Sequence, residues 1–167
     1  MEDRSQKILK VTSSAFEKGG MIPSKHTCDA ENVSPHISWE GAPEGTKSFV
    51  IISYDPDVPM RYISIYTWIH WVVYNIPPDL SSLPEGIPED ETLENGAMQG
   101  MTSFKKIGYG GPCPPFGTHR YYFKVYALDT TIDLEPKKAT KNRVLKAIEG
   151  HILAEGELMG RYRRQRQ

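Results

Sequence analysis

The chain has 167 residues, 38% of them hydrophobic and 25% charged, and a formal net charge of -1. That length supports one domain with a core that needs no metal or disulfide staple. The balance excludes a disordered chain and gives no reason to expect nucleic acid as a partner.

The opening Met1-Glu2-Asp3-Arg4 is polar, and no apolar run approaches the ~20 residues of a membrane span, so a cytoplasmic protein without membrane insertion is expected. Short runs rich in Val, Ile, Tyr, Phe and Trp then dominate, at Ile8 to Thr12, His36 to Trp39, Ser48 to Tyr54, Tyr66 to Ile76 and Tyr121 to Leu128. They read as β-strands separated by Pro/Gly-rich connections. The fourth run is apolar on both parities, which suits a central strand and buries His70. In the fifth, Tyr121, Phe123, Val125 and Ala127 alternate with wetter residues, and His119 falls on the core-facing parity at the strand's start.

Between Pro77 and Gly100, four prolines and the acidic run Glu89-Asp90-Glu91 predict a long surface loop. From Thr140 to Met159, Val144, Leu145, Ile148, Ile152 and Leu153 recur at helical spacing behind a capping threonine, which predicts one long helix weakened at Gly150 and Gly156. Arg161, Arg163, Arg164 and Arg166 make 161–167 a basic, solvated tail. Cys28 and Cys113 form no Cys-x-x-Cys motif, so zinc or redox chemistry gains no support. Two buried thiols are expected, and whether they pair is a matter of geometry.

The chemistry concentrates in Asp55-Pro56-Asp57-Val58-Pro59, His70, Gly111-Pro112 and Gly117-Thr118-His119-Arg120-Tyr121. Proline fixes its own φ and pushes the preceding residue to extended backbone, so the first segment is stiff before any ligand arrives. Arg120 is the candidate ion-pair partner for Asp57, which leaves Asp55, His70 and His119 to meet a ligand. Two imidazoles near a carboxylate make an electrostatically adjustable site. The glycines of Gly108 to Pro115 bring backbone amides within reach of an anion.

Taken together, these segments resemble the phosphatidylethanolamine-binding protein family, which includes the Raf kinase inhibitor protein, in its bacterial and archaeal branch. Asn32-Val33-Ser34-Pro35 with Ile37-Ser38-Trp39, and Gly150-His151 with Gly156-Glu157-Leu158, extend the likeness over nearly the whole chain. The resemblance implies a mainly antiparallel β-fold with Greek-key connections, a single domain and a C-terminal flanking helix. It also implies an anion pocket lined by Asp55, His70, His119 and Tyr121 and rimmed by Pro59, Gly111 and Pro112.

The expected function is therefore a non-enzymatic protein that binds phosphate, phosphorylated or carboxylate groups and needs no cofactor or metal. Its expected protein target is a serine protease of chymotrypsin or elastase type first, and a kinase second. Prokaryotic relatives imply a homodimer. A metal-dependent or Asp/His-based hydrolase built on the same cluster is the alternative, without a Gly-x-Ser-x-Gly elbow or a His-Glu-x-x-His helix to support it.

Overall fold

Nine strands and one α-helix order the residues that the structure, a computed structural model, describes, namely 7–165. They are β1 (Lys7–Ile8), β2 (Lys10–Thr12), β3 (Ile37–Glu40), β4 (Ser48–Met60), β5 (Ile63–Ile76), β6 (Ser82–Leu83), β7 (Met98–Gln99), β8 (His119–Leu128), α1 (Lys141–Ile148) and β9 (Ile152–Tyr162). A six-stranded sheet runs β1-β9-β8-β4-β5-β7, and a three-stranded sheet runs β2-β3-β6. Every pairing is antiparallel except β1 with β9.

Alternation along β4 feeds two cores. Phe49 and Ile51 point to the space between the sheets, where they meet Trp39 of β3, Leu83 of β6, Trp71 of β5 and Phe123 of β8. Val50 and Ile52 point the other way, onto a layer completed by Val72, Tyr74 and the α1 residues Val144 and Ile148. At roughly 1.5–3 kcal/mol per fully buried large apolar side chain, these layers drive the fold and make the large sheet's central strands rigid.

β5 is exposed from Ile63 to Thr67 and buried on both faces from Ile69 onward, where burial was expected, but only two-residue β7 lies outside it. The rest of that edge is covered by the following segment, whose Gly100, Ser103 and Gly110 amides donate to the carbonyls of Val72, Ile69 and His70 at 2.9, 2.9 and 3.0 Å. An open edge there would invite another strand.

Four expectations are corrected. The 140–159 helix ends at Ile148, because Gly150 adopts φ +79°, a left-handed turn that glycine enters at least cost, and the chain then continues as β9. Ala154, Leu158, Gly160 and Tyr162 of that strand are buried in alternation with wetter residues. The 77–100 loop is not merely superficial, since it supplies β6 and β7 and buries Leu83, Leu93 and Ala97.

The basic tail is pinned through Gln165, while Arg166 lies outside the described residues. Arg161 exchanges backbone hydrogen bonds with Gly20 and Ile22, Tyr162 donates to Asp29, and Arg164 pairs with Asp29 at 3.5 Å. Cys28 and Cys113 form a disulfide, with Cα atoms 5.4 Å apart, and Cys113 is exposed. Such bonds are rare in the cytosol outside hyperthermophiles, which weighs against the cytoplasmic expectation.

The bridge closes a separation of 85 residues. Chain entropy alone assigns such a loop about 4.6 kcal/mol. Urea unfolding with and without reductant is expected to differ by about 2–4 kcal/mol, with Cys28→Ala/Cys113→Ala matching the reduced protein.

Candidate anion-binding site

β4 pairs regularly with β8 as far as Tyr54 opposite Tyr122, and its register with β5 shifts between Asp55 and Val58. Pro56 and Pro59 cannot donate to a ladder, so this stretch departs from a flat strand. The Asp57 amide donates to Asp55 Oδ1 at 2.7 Å, a local turn that sends the two carboxylates to different tasks.

Asp57 is fully buried and faces Arg120. Its Oδ2 accepts from the Arg120 amide at 2.8 Å and from Nε at 3.0 Å, while Oδ1 accepts from Nη2 at 2.8 Å. Burial works against the Asp57 charge, but the Arg120 hydrogen bonds and charge win and hold the carboxyl below its ordinary range. The same bonds push the guanidinium up. This fork carries the β4–β8 contact past the last backbone pair and fixes the start of β8.

That start presents His119, wholly buried, with Nδ1 2.6 Å from Asp55 Oδ2. Burial opposes its charge, but the hydrogen bond it donates to Asp55 and the charges of Asp55 and Asp57 raise its pKa, and the Pro59 carbonyl adds to this. Its Nε2 lies 3.1 Å from the Phe116 carbonyl. The ring of Tyr121, next on the same parity, stacks on His119 with centroids 6.3 Å apart.

From β5, His70 packs edge-on to Tyr121 and Phe104 and places Nδ1 2.6 Å from the Gly110 carbonyl. Burial holds its pKa down to about 4 despite that bond and the Asp55 charge. Together Asp55, His70, His119 and Tyr121 bound a cavity of about 200 Å³. The Tyr121 hydroxyl is buried and makes no hydrogen bond of regular geometry among the described residues; burial first, and then the neighbouring Asp55 carboxylate, push its pKa up.

Residues 12–163 match the phosphatidylethanolamine-binding protein family. The chain belongs to that family. An uncharacterised protein family 0098 member from the archaeon Methanothermobacter thermautotrophicus is 49% identical over 156 residues, covering 93% of this chain and 99% of the relative. A phosphatidylethanolamine-binding protein homologue from Chlamydia trachomatis superposes with TM-score 0.84 at 42% identity, covering 96% of this chain and all of that one. Carboxypeptidase Y inhibitor, solved in complex with its cognate proteinase, shares the fold at TM-score 0.51 and 20% identity, over 92% of this chain and 82% of that one.

In this family member the four polar residues read from the sequence share the cavity, but the expected rim does not. Pro59, Gly111 and Pro112 are absent from the lining, and Val58, Trp68, Phe104, Cys113, Pro114 and Pro115 take their place. The Gly110 amide donates to the His70 carbonyl at 3.0 Å and the Gly111 amide to Asn32 Oδ1 at 2.8 Å. This pair is therefore not the expected anion nest. Gly111 is required instead by close packing, since a Cβ there would fall 2.1 Å from the His26 carbonyl oxygen. Cys113 to Pro115 follow directly on the glycine run and were legible as neighbours; Phe104 carried no local signal.

The two histidines give this family member opposing pH limbs. His70 is neutral in the fold but titrates near 6.5 when free, so its contribution is complete above that value and is lost as pH falls toward 4. The loss is on the order of 3 kcal/mol. His119, with a raised pKa, contributes fully below 6.5 and loses that contribution as pH rises through its folded value. His70→Asn is expected to flatten stability between pH 6.5 and 4 and to leave the steeper loss below, where Asp57 protonates. Urea midpoints measured against pH check this.

Proposed function

We propose that this protein is a non-enzymatic binder of small anions that docks on another protein and inhibits it, with a serine protease of chymotrypsin or elastase type as the first target and a kinase as the second. The observation that carries the anion reading is a buried set of polar groups around one void: the Tyr121 hydroxyl, without a hydrogen bond of regular geometry, beside His70 and the Asp55–His119 pair. Buried polar groups are almost always well satisfied, so a hydroxyl left in this way beside a void argues for a ligand.

The same geometry argues against a hydrolase. His119 spends one ring nitrogen on Asp55 and aims the other at a carbonyl, so it is poorly placed as a general base. Among the described residues no group of three or more His, Cys, Asp or Glu is disposed to hold a metal.

The docking half rests on the hairpin between β4 and β5. Tyr62, Ile63, Ile65 and Tyr66 are 63–88% exposed, with Met60 and Phe116 beside them. Arg61 and Ile63 share a groove of about 350 Å³ with Phe116, Gly117 and Thr118. Two strands alone are marginal in water, and large exposed apolar patches mark interaction surfaces. Carboxypeptidase Y inhibitor, which shares the fold and is known in complex with its cognate proteinase, is the fold-level precedent for such a partner. A second copy of the chain is the other occupant.

Phosphate at millimolar concentration is expected to shift the His70 and His119 ring resonances in NMR, and Tyr121→Phe to weaken binding about tenfold, as loss of one hydrogen bond implies. Unmoved resonances count against anion binding. Chymotrypsin- and elastase-like enzymes are expected to slow at micromolar protein, and the pair Tyr62→Ser/Ile63→Ser to abolish the effect. Unaffected proteases remove the inhibitor half alone, and sedimentation of the protein by itself reports whether a second copy covers the hairpin.

A further inference from the structure

The Cys28–Cys113 disulfide does not lie sealed in a core. Cys28 is half-buried, Cys113 is exposed, and Cys113 also stands in the lining of the cavity. A thiolate opens a disulfide by attacking one of its two sulfurs, and access decides which one; exposed bridges are the labile ones. Wherever small thiols are abundant, a bridge placed like this meets them continually.

Cys28 sits on a braced segment. The amide and hydroxyl of Thr27 donate to the Ser24 carbonyl at 3.0 and 2.8 Å, and the Asp29 carboxylate accepts from the Tyr162 hydroxyl and, at 3.3 Å, from the Gln165 amide. A thiolate released from Cys28 is therefore held close to where it left, its Cα 5.4 Å from that of Cys113. Opening the bridge does not part the two loops either. The Cys28 amide donates to the Pro112 carbonyl at 3.1 Å, the Tyr109 hydroxyl to the His26 carbonyl at 2.7 Å and the Gly111 amide to Asn32 Oδ1 at 2.8 Å. These hydrogen bonds remain when the covalent link is cut, so exchange proceeds in the folded protein.

We infer that Cys113 is a reversible modification site, where a low-molecular-weight thiol forms a mixed disulfide with Cys28 as the resolving thiol, and that the adduct obstructs the cavity. The incoming thiolate attacks Sγ of Cys113. The bond to Cys28 breaks as the new sulfur–sulfur bond forms, and the electron pair leaves on Cys28 Sγ, which takes a proton from water. In the return step the Cys28 thiolate attacks Sγ of Cys113 and expels the small thiol. Neither step needs an oxidant. A second equivalent of thiol completes reduction by attacking the outer sulfur of the adduct, leaving as the small-molecule disulfide and freeing Cys113.

The obstruction follows from placement and size. Cys113 is part of the wall of a cavity of about 200 Å³, too small for an anion and a tripeptide thiol such as glutathione together. The carboxylates of that tripeptide also repel an incoming anion. This half of the inference rests on the anion-binding reading, whereas the modification of Cys113 does not.

Wild-type full chain incubated with excess reduced glutathione under native conditions, quenched with acid and mapped by peptide mass spectrometry, tests the site. The adduct is expected on Cys113 in preference to Cys28 by at least about tenfold, as access to the two sulfurs implies. An adduct mainly on Cys28, a bridge left intact, or opening only at the rate of global unfolding overturns the inference. Cys28→Ser removes the resolving thiol and lets the adduct formed from oxidised glutathione accumulate. Phosphate, followed through the His70 and His119 ring resonances, should bind this adduct about tenfold more weakly than the same variant with a free Cys113, the loss of about one good contact. Equal affinities overturn the obstruction. Phosphate that binds neither form nor the wild type overturns the anion reading, and the obstruction with it, while the wild-type mapping still decides the modification, as it does if the variant does not fold.

Discussion

The contact on which this molecule's chemistry depends is the buried hydrogen bond between Asp55 and His119, 2.6 Å long and sealed from water. A buried ion pair is weak evidence for stability, because desolvation consumes much of what the attraction returns. Its value lies in what it excludes. By occupying Nδ1 of His119 it takes that imidazole out of the groups a ligand could meet, which favours the proposed binding role over a catalytic one.

That pair is held by a second one. Asp57 and Arg120 lock the end of β4 to the beginning of β8 just where the regular ladder gives out. The register shift between Asp55 and Val58 gives neighbouring carboxylates different destinations, so one stretch of five residues supplies both the brace and the site. The remaining walls come from the segment that covers the β5 edge, which the Cys28–Cys113 bridge ties to the chain near Asp29. Edge protection and cavity construction are thus done by the same loop, and the disulfide, Asp29 and the last described residues form one clasp behind it.

Period-two alternation with β-branched and aromatic residues was legible for the five expected runs because each feeds a buried face of a sheet. The same signal existed in β9, where Glu155 and Glu157 flank small or apolar inward positions. It was masked by the glycines at 156 and 160 and by helical spacing that carried over from α1. Those glycines are small for a tertiary reason: a Cβ at Gly156 would meet the Leu9 carbonyl oxygen at 2.0 Å, and one at Gly160 would meet Ile22 and Phe16 at 2.7 Å. Packing of this kind leaves no local mark.

By itself the sequence determined that the chain is mainly β, that Asp55, His70, His119 and Tyr121 sit where strands begin or bury, and that Asp57 has Arg120 to pair with, because side-chain parity and proline stiffness act over a few residues. Only the tertiary structure decided which groups met which partners. The Gly110 carbonyl beside His70 Nδ1, the engagement of His119 by Asp55, the irregular setting of the Tyr121 hydroxyl and the replacement of the expected rim by Phe104 and Cys113 to Pro115 depend on residues far apart along the chain. Hydrogen-bond satisfaction belongs to the assembled cavity, so no local pattern could encode it.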